Sequence, residues 1–114
     1  MSRIDQMFSE RGPTASFEFF PPRDSAGQSS LNNAVKQLQV WQPDFASMTY
    51  GAGGTSQQES FAGSQQLLAR GLTTASHITC VGADQHSVQS TARHFVAQGV
   101  EHLVALRGDS PAGP

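Results

Sequence analysis

The chain has 114 residues, with seven Lys plus Arg against nine Asp plus Glu and a net charge of −2. That length allows one domain at most, and the near-balanced charge offers no footprint for nucleic acid or an anionic membrane. No apolar run reaches the length of a membrane span, the first residues lack the apolar core of a signal peptide, and the single cysteine, Cys80, excludes an internal disulfide and fits a reducing cytoplasm.

Ile4, Met7 and Phe8 suggest a short helix at the start. The first strand is placed near Ala15–Phe20, because Pro21-Pro22 cannot continue a ladder and ends it abruptly. Within it, Glu18 stands in Ser16-Phe17-Glu18-Phe19-Phe20. Two readings are open. A carboxyl group desolvated at the end of an apolar strand has a raised pKa, which suits a general acid near neutral pH. Alternatively the strand alternates and Glu18 points to water.

A first long helix follows, with Leu31, Val35 and Leu38 on one face, a capping box at Ser25 and Gln28, and Pro43 as its stop. The second strand falls near Phe45–Thr49. The next helix carries Phe61, Leu68 and Gln65 on its inner face, begins at a second capping box, Ser56 with Glu59, and ends at Gly71. The third strand lies near Thr73–Thr79. The last helix has Asp84 as N-cap, Val88, Ala92 and Phe95 inward, and Gly99 after its end. The fourth strand is placed at His102–Leu106.

Strand ends recur at a step of about 28 to 31 residues, with a helix in each interval. Strand–helix–strand units at this spacing give parallel strands joined by right-handed crossovers. Two architectures fit: a doubly wound open sheet, or three βα units plus a fourth strand, which is about half of a (βα)8 barrel.

Ligands of parallel α/β sheets bind at the carboxyl ends of the strands. Those ends present Glu18 and Arg23, then Thr49-Tyr50-Gly51-Ala52-Gly53-Gly54-Thr55, then His77 and Thr79, then Arg107-Gly108-Asp109. The glycines fit either a tight turn or a cradle for an anion at a helix N-terminus, but match neither dinucleotide nor P-loop fingerprints. Thr49 and Tyr50 can offer a hydroxyl and a flat ring to a planar ligand, or simply pack at the strand end. His77 reads as a core histidine or as a site residue. Arg107-Gly108-Asp109 fits a turn closed by an ion pair. It equally fits a site in which Gly108 permits close approach, Arg107 meets an anion and Asp109 accepts N–H donors from a heterocycle. His86, His94 and His102 have no ligand spacing, and Cys80 reads as a small buried filler.

Four segments together resemble methylenetetrahydrofolate reductase of the bacterial type: Ser16-Phe17-Glu18-Phe19-Phe20-Pro21-Pro22-Arg23, Thr49-Tyr50-Gly51-Ala52, His77-Ile78-Thr79-Cys80 and Ala105-Leu106-Arg107-Gly108-Asp109. They stand in that family's order and spacing, and the resemblance covers nearly all of the chain after about residue 14. It implies a (βα)8 barrel that binds FAD without a Rossmann fingerprint, takes hydride from NAD(P)H, and reduces 5,10-methylenetetrahydrofolate to 5-methyltetrahydrofolate in the same site. It implies Glu18 as the general acid that protonates a folate nitrogen and opens the imidazolidine ring. Asp109 matches the carboxylate between pterin and flavin, serving both substrate and cofactor, and Thr49, Tyr50, Ala52, His77, Arg107 and Gly108 match cofactor contacts. No metal, nucleic acid or membrane is implied, and homo-oligomers are common in the family. Four further βα units follow in that family, so the resemblance implies that these residues form the N-terminal part of the enzyme, cytoplasmic and inactive without the rest. The alternative is a truncated, non-catalytic paralogue acting as a subunit.

Overall fold

The computed structural model describes residues 3–50 and 57–108. The elements run in chain order as α1 (Ile4–Arg11), β1 (Ser16–Phe19), α2 (Ser25–Leu38), a 3-10 turn at Gln39–Trp41, β2 (Phe45–Met48), α3 (Gln57–Ala69), β3 (Thr74–Thr79), α4 (Gln85–Gln98) and β4 (His102–Leu106). Each expected strand is present within a residue or two of its expected ends.

The four strands form one parallel sheet in the order β1-β2-β3-β4. Register pairs Phe19 with Met48, Met48 with Ser76, and Thr79 with Leu106, so the carboxyl ends lie side by side. Successive side chains alternate between the two faces. Ala46, Met48, Ser76 and Ile78 take one face, and every helix that packs on the sheet meets that face. Leu31 and Val35 of α2 and Leu67 of α3 cluster with Ala46 and Met48. Phe61 of α3 and Phe95 of α4 cluster with Ile78 and Val100. A doubly wound sheet reverses its strand order and carries helices on both faces. The described strands show no reversal of order, and α2, α3 and α4 lie on one face.

Small residues allow α3 to sit close to the sheet. Ser64 Oγ and Ser76 Oγ share a hydrogen bond of 2.7 Å between helix and strand, and Ser60 Oγ donates to the Thr49 carbonyl at 3.1 Å. A Cβ on Gly63 would come within 2.8 Å of Met48 Sδ. The expected inner face of this helix is corrected accordingly: Gln65 is exposed, and the buried set is Ser60, Phe61, Gly63, Ser64 and Leu67. The hydrophobic pattern misleads here because half of the contact surface is small and polar.

The caps are mixed. Asp84 accepts from the Ser87 N–H at 2.8 Å, and Gly99 closes α4 with a left-handed φ of 106°. The N-cap of α2 is Asp24 and not Ser25: its Oδ1 accepts from the Gly27 N–H at 2.7 Å. Both are strong capping types, and a carboxylate one residue earlier also complements the helix dipole. The capping box at Ser56 and Glu59 lies partly outside the described residues.

Asp44, just before β2, joins the first helix and strand to the rest. Its Oδ1 accepts from Arg11 Nη1 and its Oδ2 from the Ala15 N–H, both at 2.9 Å, while its own N–H donates to the Ala15 carbonyl at 2.8 Å. The Ala15 N–H, then the Arg11 guanidinium, hold its pKa below the ordinary 3.8. A carboxylate whose folded pKa is depressed stabilises the fold above its unfolded pKa and loses that contribution as pH falls through the folded value. In the intact protein, Asp44→Asn should therefore lower the unfolding midpoint at neutral pH. The gap from wild type should close as the pH is taken below 3.8 in a denaturation series. Separately, Gly63→Ala should destabilise by about 1–3 kcal/mol in equilibrium unfolding, because Met48 is fully buried and has little room to give.

Candidate functional site

The face of the sheet turned away from α2, α3 and α4 carries the candidate side chains Glu18, Thr49 and His77. Phe17 and Phe19 of β1 turn toward the helix side, where Phe19 packs against the α2 cluster. Strand alternation then sends Glu18 to the opposite face. The side chain is 55% exposed, so the burial suggested by its phenylalanine neighbours is absent among the described residues. The flanking rings bury themselves against helices and leave Glu18 on the open side.

His77 stands on the same open face of β3. Glu18 pairs in register with Ser47, and Ser47 with Ala75, so His77 lies two strands away and two residues further toward the carboxyl ends. Its Nε2 is 3.5 Å from Glu18 Oε1. The imidazole is largely buried, at 12% exposure. The sheet thus brings together the two titratable residues that sequence placed on separate strand ends.

Thr49 continues the open face of β2 past Ser47. It is 7% exposed, and its Oγ1 has no hydrogen-bond partner among the described residues. A buried hydroxyl left unpaired costs about 1–3 kcal/mol. A polar ligand at the strand ends could supply the missing partner. Tyr50 has its ring packed against the Phe61–Phe95 cluster on the helix side, and its carbonyl accepts from Thr79 Oγ1 at 3.2 Å. Cys80 packs against the same cluster, as a filler would. His94 stacks on Phe61 with ring centroids 3.7 Å apart and is a packing residue.

At the end of β4 the ladder runs on beyond the strand. Cys80 N–H donates to the Leu106 carbonyl and Val81 N–H to the Arg107 carbonyl, each at 2.8 Å. Gly108 then turns with a φ of 86°, and a Cβ there would collide with Thr79 Cγ2 and come within 2.7 Å of Val81 Cγ1. Only glycine lets the backbone pass so close to β3. Arg107 is exposed, with no ion pair among the described residues. Ala52 and Asp109 lie outside the described residues, as do the glycines of the loop after Tyr50. Sequence reasoning named Gly108, Thr49 and His77 as candidates, and the structure sets Thr49 and His77 on one face and Gly108 at the end of β4. That reasoning did not find the contact between His77 and Glu18, for which a chain read in one dimension carries no signal.

Comparison with known proteins adds an independent line. The family model for methylenetetrahydrofolate reductase matches residues 3–114. The chain is 39% identical over 99 residues to 5,10-methylenetetrahydrofolate reductase of Salmonella typhimurium, covering 86% of this chain and 33% of that protein. The protein of the same name from Escherichia coli gives the same figures. Methylenetetrahydrofolate reductase (NADH) 1 of Arabidopsis thaliana is 32% identical over 119 residues, covering 99% of this chain and 20% of the relative. The chain thus spans about a third of the length of the bacterial relatives it matches, and less of the plant one.

Gly108→Ala tests the close approach of β4 to β3. In the intact protein the Val81 amide, now bonded to the Arg107 carbonyl, should exchange with solvent at least about 5-fold faster by hydrogen exchange, from a local cost of about 1–3 kcal/mol.

Proposed function

The chain belongs to the methylenetetrahydrofolate reductase family, and from that premise we propose that it is the N-terminal part of a flavin-dependent enzyme that reduces 5,10-methylenetetrahydrofolate to 5-methyltetrahydrofolate with NAD(P)H. The observation that carries this reading is the placement of Glu18, His77 and Thr49 together on the helix-free face at the strand ends. A singly wound sheet with helices outside and functional groups inside is the geometry of a (βα)8 barrel before closure. The remaining βα units would close that barrel, and activity is proposed for the intact protein only.

The residues present fit FAD. The Thr49 hydroxyl, buried and without a hydrogen-bond partner among the described residues, is a group that a cofactor's polar atoms could meet. Thr49, Tyr50, Ala52, His77, Arg107 and Gly108 would hold it, the guanidinium of Arg107 meeting its negative charge. When bound, FAD would supply a two-electron carrier between nicotinamide and folate. Asp109 would accept N–H donors of the pterin.

Glu18 performs the step assigned to the chain's own residues. Its carboxyl group gives a proton to a folate nitrogen, the C–N bond of the imidazolidine ring breaks, and the resulting iminium carbon is ready for hydride. Glu18 is half exposed among the described residues, and the remaining βα units together with bound substrate would complete the burial that makes a carboxylic acid effective.

Two outcomes test the reading in the intact protein. Glu18→Gln should slow folate reduction relative to NAD(P)H oxidation by more than about 100-fold in separate half-reactions. Equal loss of both would remove Glu18 from the acid role. Asp109→Asn should raise the flavin midpoint potential in a spectroscopic redox titration, since a nearby negative charge opposes reduction. An unchanged potential would place Asp109 away from the ring.

A further inference from the structure

Glu18 and His77 meet across an intervening strand. The β2 residues on that face are Ser47 and Thr49, whose short side chains leave space for the two longer ones to touch over them. The two partners are unequally held. The imidazole is 12% exposed, and β3 is paired on both sides, to β2 and to β4. Glu18 is more than half exposed, and His77 is the one charged or polar side chain that restrains its carboxylate among the described residues. Among the described residues, His77 is therefore the side chain placed to orient the Glu18 carboxylate.

We propose that His77 is a positioning residue for Glu18, an inference that rests on the acid role proposed above. With the ring proton on Nε2, the N–H donates to Glu18 Oε1. Oε2 is then left to carry the acidic proton toward the substrate nitrogen. In the step, the O–H bond at Oε2 breaks and an N–H bond forms on the folate, while the ring keeps its own proton throughout. The separation of 3.5 Å is that of a loose contact in a free enzyme, of the kind that tightens when substrate closes the site. The role is additional to the cofactor contact proposed above, and the part that passes through Glu18 is what the cycle isolates.

The test is a double-mutant cycle in the intact, FAD-loaded protein, reading reoxidation of the reduced flavin by saturating 5,10-methylenetetrahydrofolate in stopped flow. His77→Leu should slow this step on the order of 10- to 100-fold by letting the acid drift. His77→Gln should recover most of the loss, because its amide N–H has a reach similar to that of the imidazole Nε2. Glu18→Asp withdraws the carboxyl group from the ring by one methylene, and in that background His77→Leu should cost less than about 3-fold. Equal losses in the two backgrounds, or no recovery with Gln, would overturn the inference. If His77→Leu loses its flavin, His77→Asn replaces it in the same cycle, since its shorter amide cannot reach Glu18. A wild-type enzyme whose reduced flavin is not reoxidised by folate would overturn the function proposed above and this inference with it. Independent losses in an enzyme that does turn folate over would overturn this inference alone.

Discussion

The alternation of a parallel strand determines most of what this molecule can do. Each strand must give one face to helices and the other to something else. With strand order β1-β2-β3-β4, α2, α3 and α4 all pack on the same side and leave the second face to other partners. Glu18, Thr49 and His77 lie on that face because their immediate neighbours, Phe19, Met48 and Ile78, are committed to the helices. The apolar residues thus set the orientation of the functional ones. Burying Phe95, Met48 and Leu67 at roughly 1.5–3 kcal/mol each holds the alternation in phase, and a slip of one residue would exchange the core for the site.

The strand ends add a second constraint, which is space. Gly108 has no room for a Cβ beside Thr79 and Val81, and the extended ladder between Cys80-Val81 and Leu106-Arg107 holds β4 against β3 at that point. Ser60 and Thr79 tie the carbonyls of Thr49 and Tyr50 to α3 and β3, so the segment entering the glycine loop is fixed by two hydroxyls. The candidate site therefore stands on anchored backbone, while the proposed acid, Glu18, has a side chain that is more than half exposed. That division would suit the proposed proton transfer.

Much of this was legible in the chain. The four strands, Asp84 as a cap and Gly99 as a helix end follow from local chemistry, since alternation, capping and left-handed turns are decided within a few residues. Three features were not. The inner face of α3 is built from Ser60, Gly63 and Ser64 as much as from Phe61 and Leu67, and small residues leave no hydrophobic signature. Asp24 displaced Ser25 as a cap because both types compete for the same N–H groups. The exposure of Glu18 and its contact with His77, like the ties from Asp44 to Arg11 and Ala15, depend on which strands become neighbours. The family resemblance supplied roles for Glu18 and His77 but not the geometry between them.

The central claim is that this helix-free face is the flavin and folate site of a methylenetetrahydrofolate reductase. The visible spectrum of the intact protein, purified without added cofactor, tests it most directly. The account predicts oxidised-flavin bands that bleach on adding NAD(P)H without oxygen and return on adding 5,10-methylenetetrahydrofolate. A protein that neither carries nor takes up flavin, or whose reduced flavin is indifferent to the folate, would contradict it.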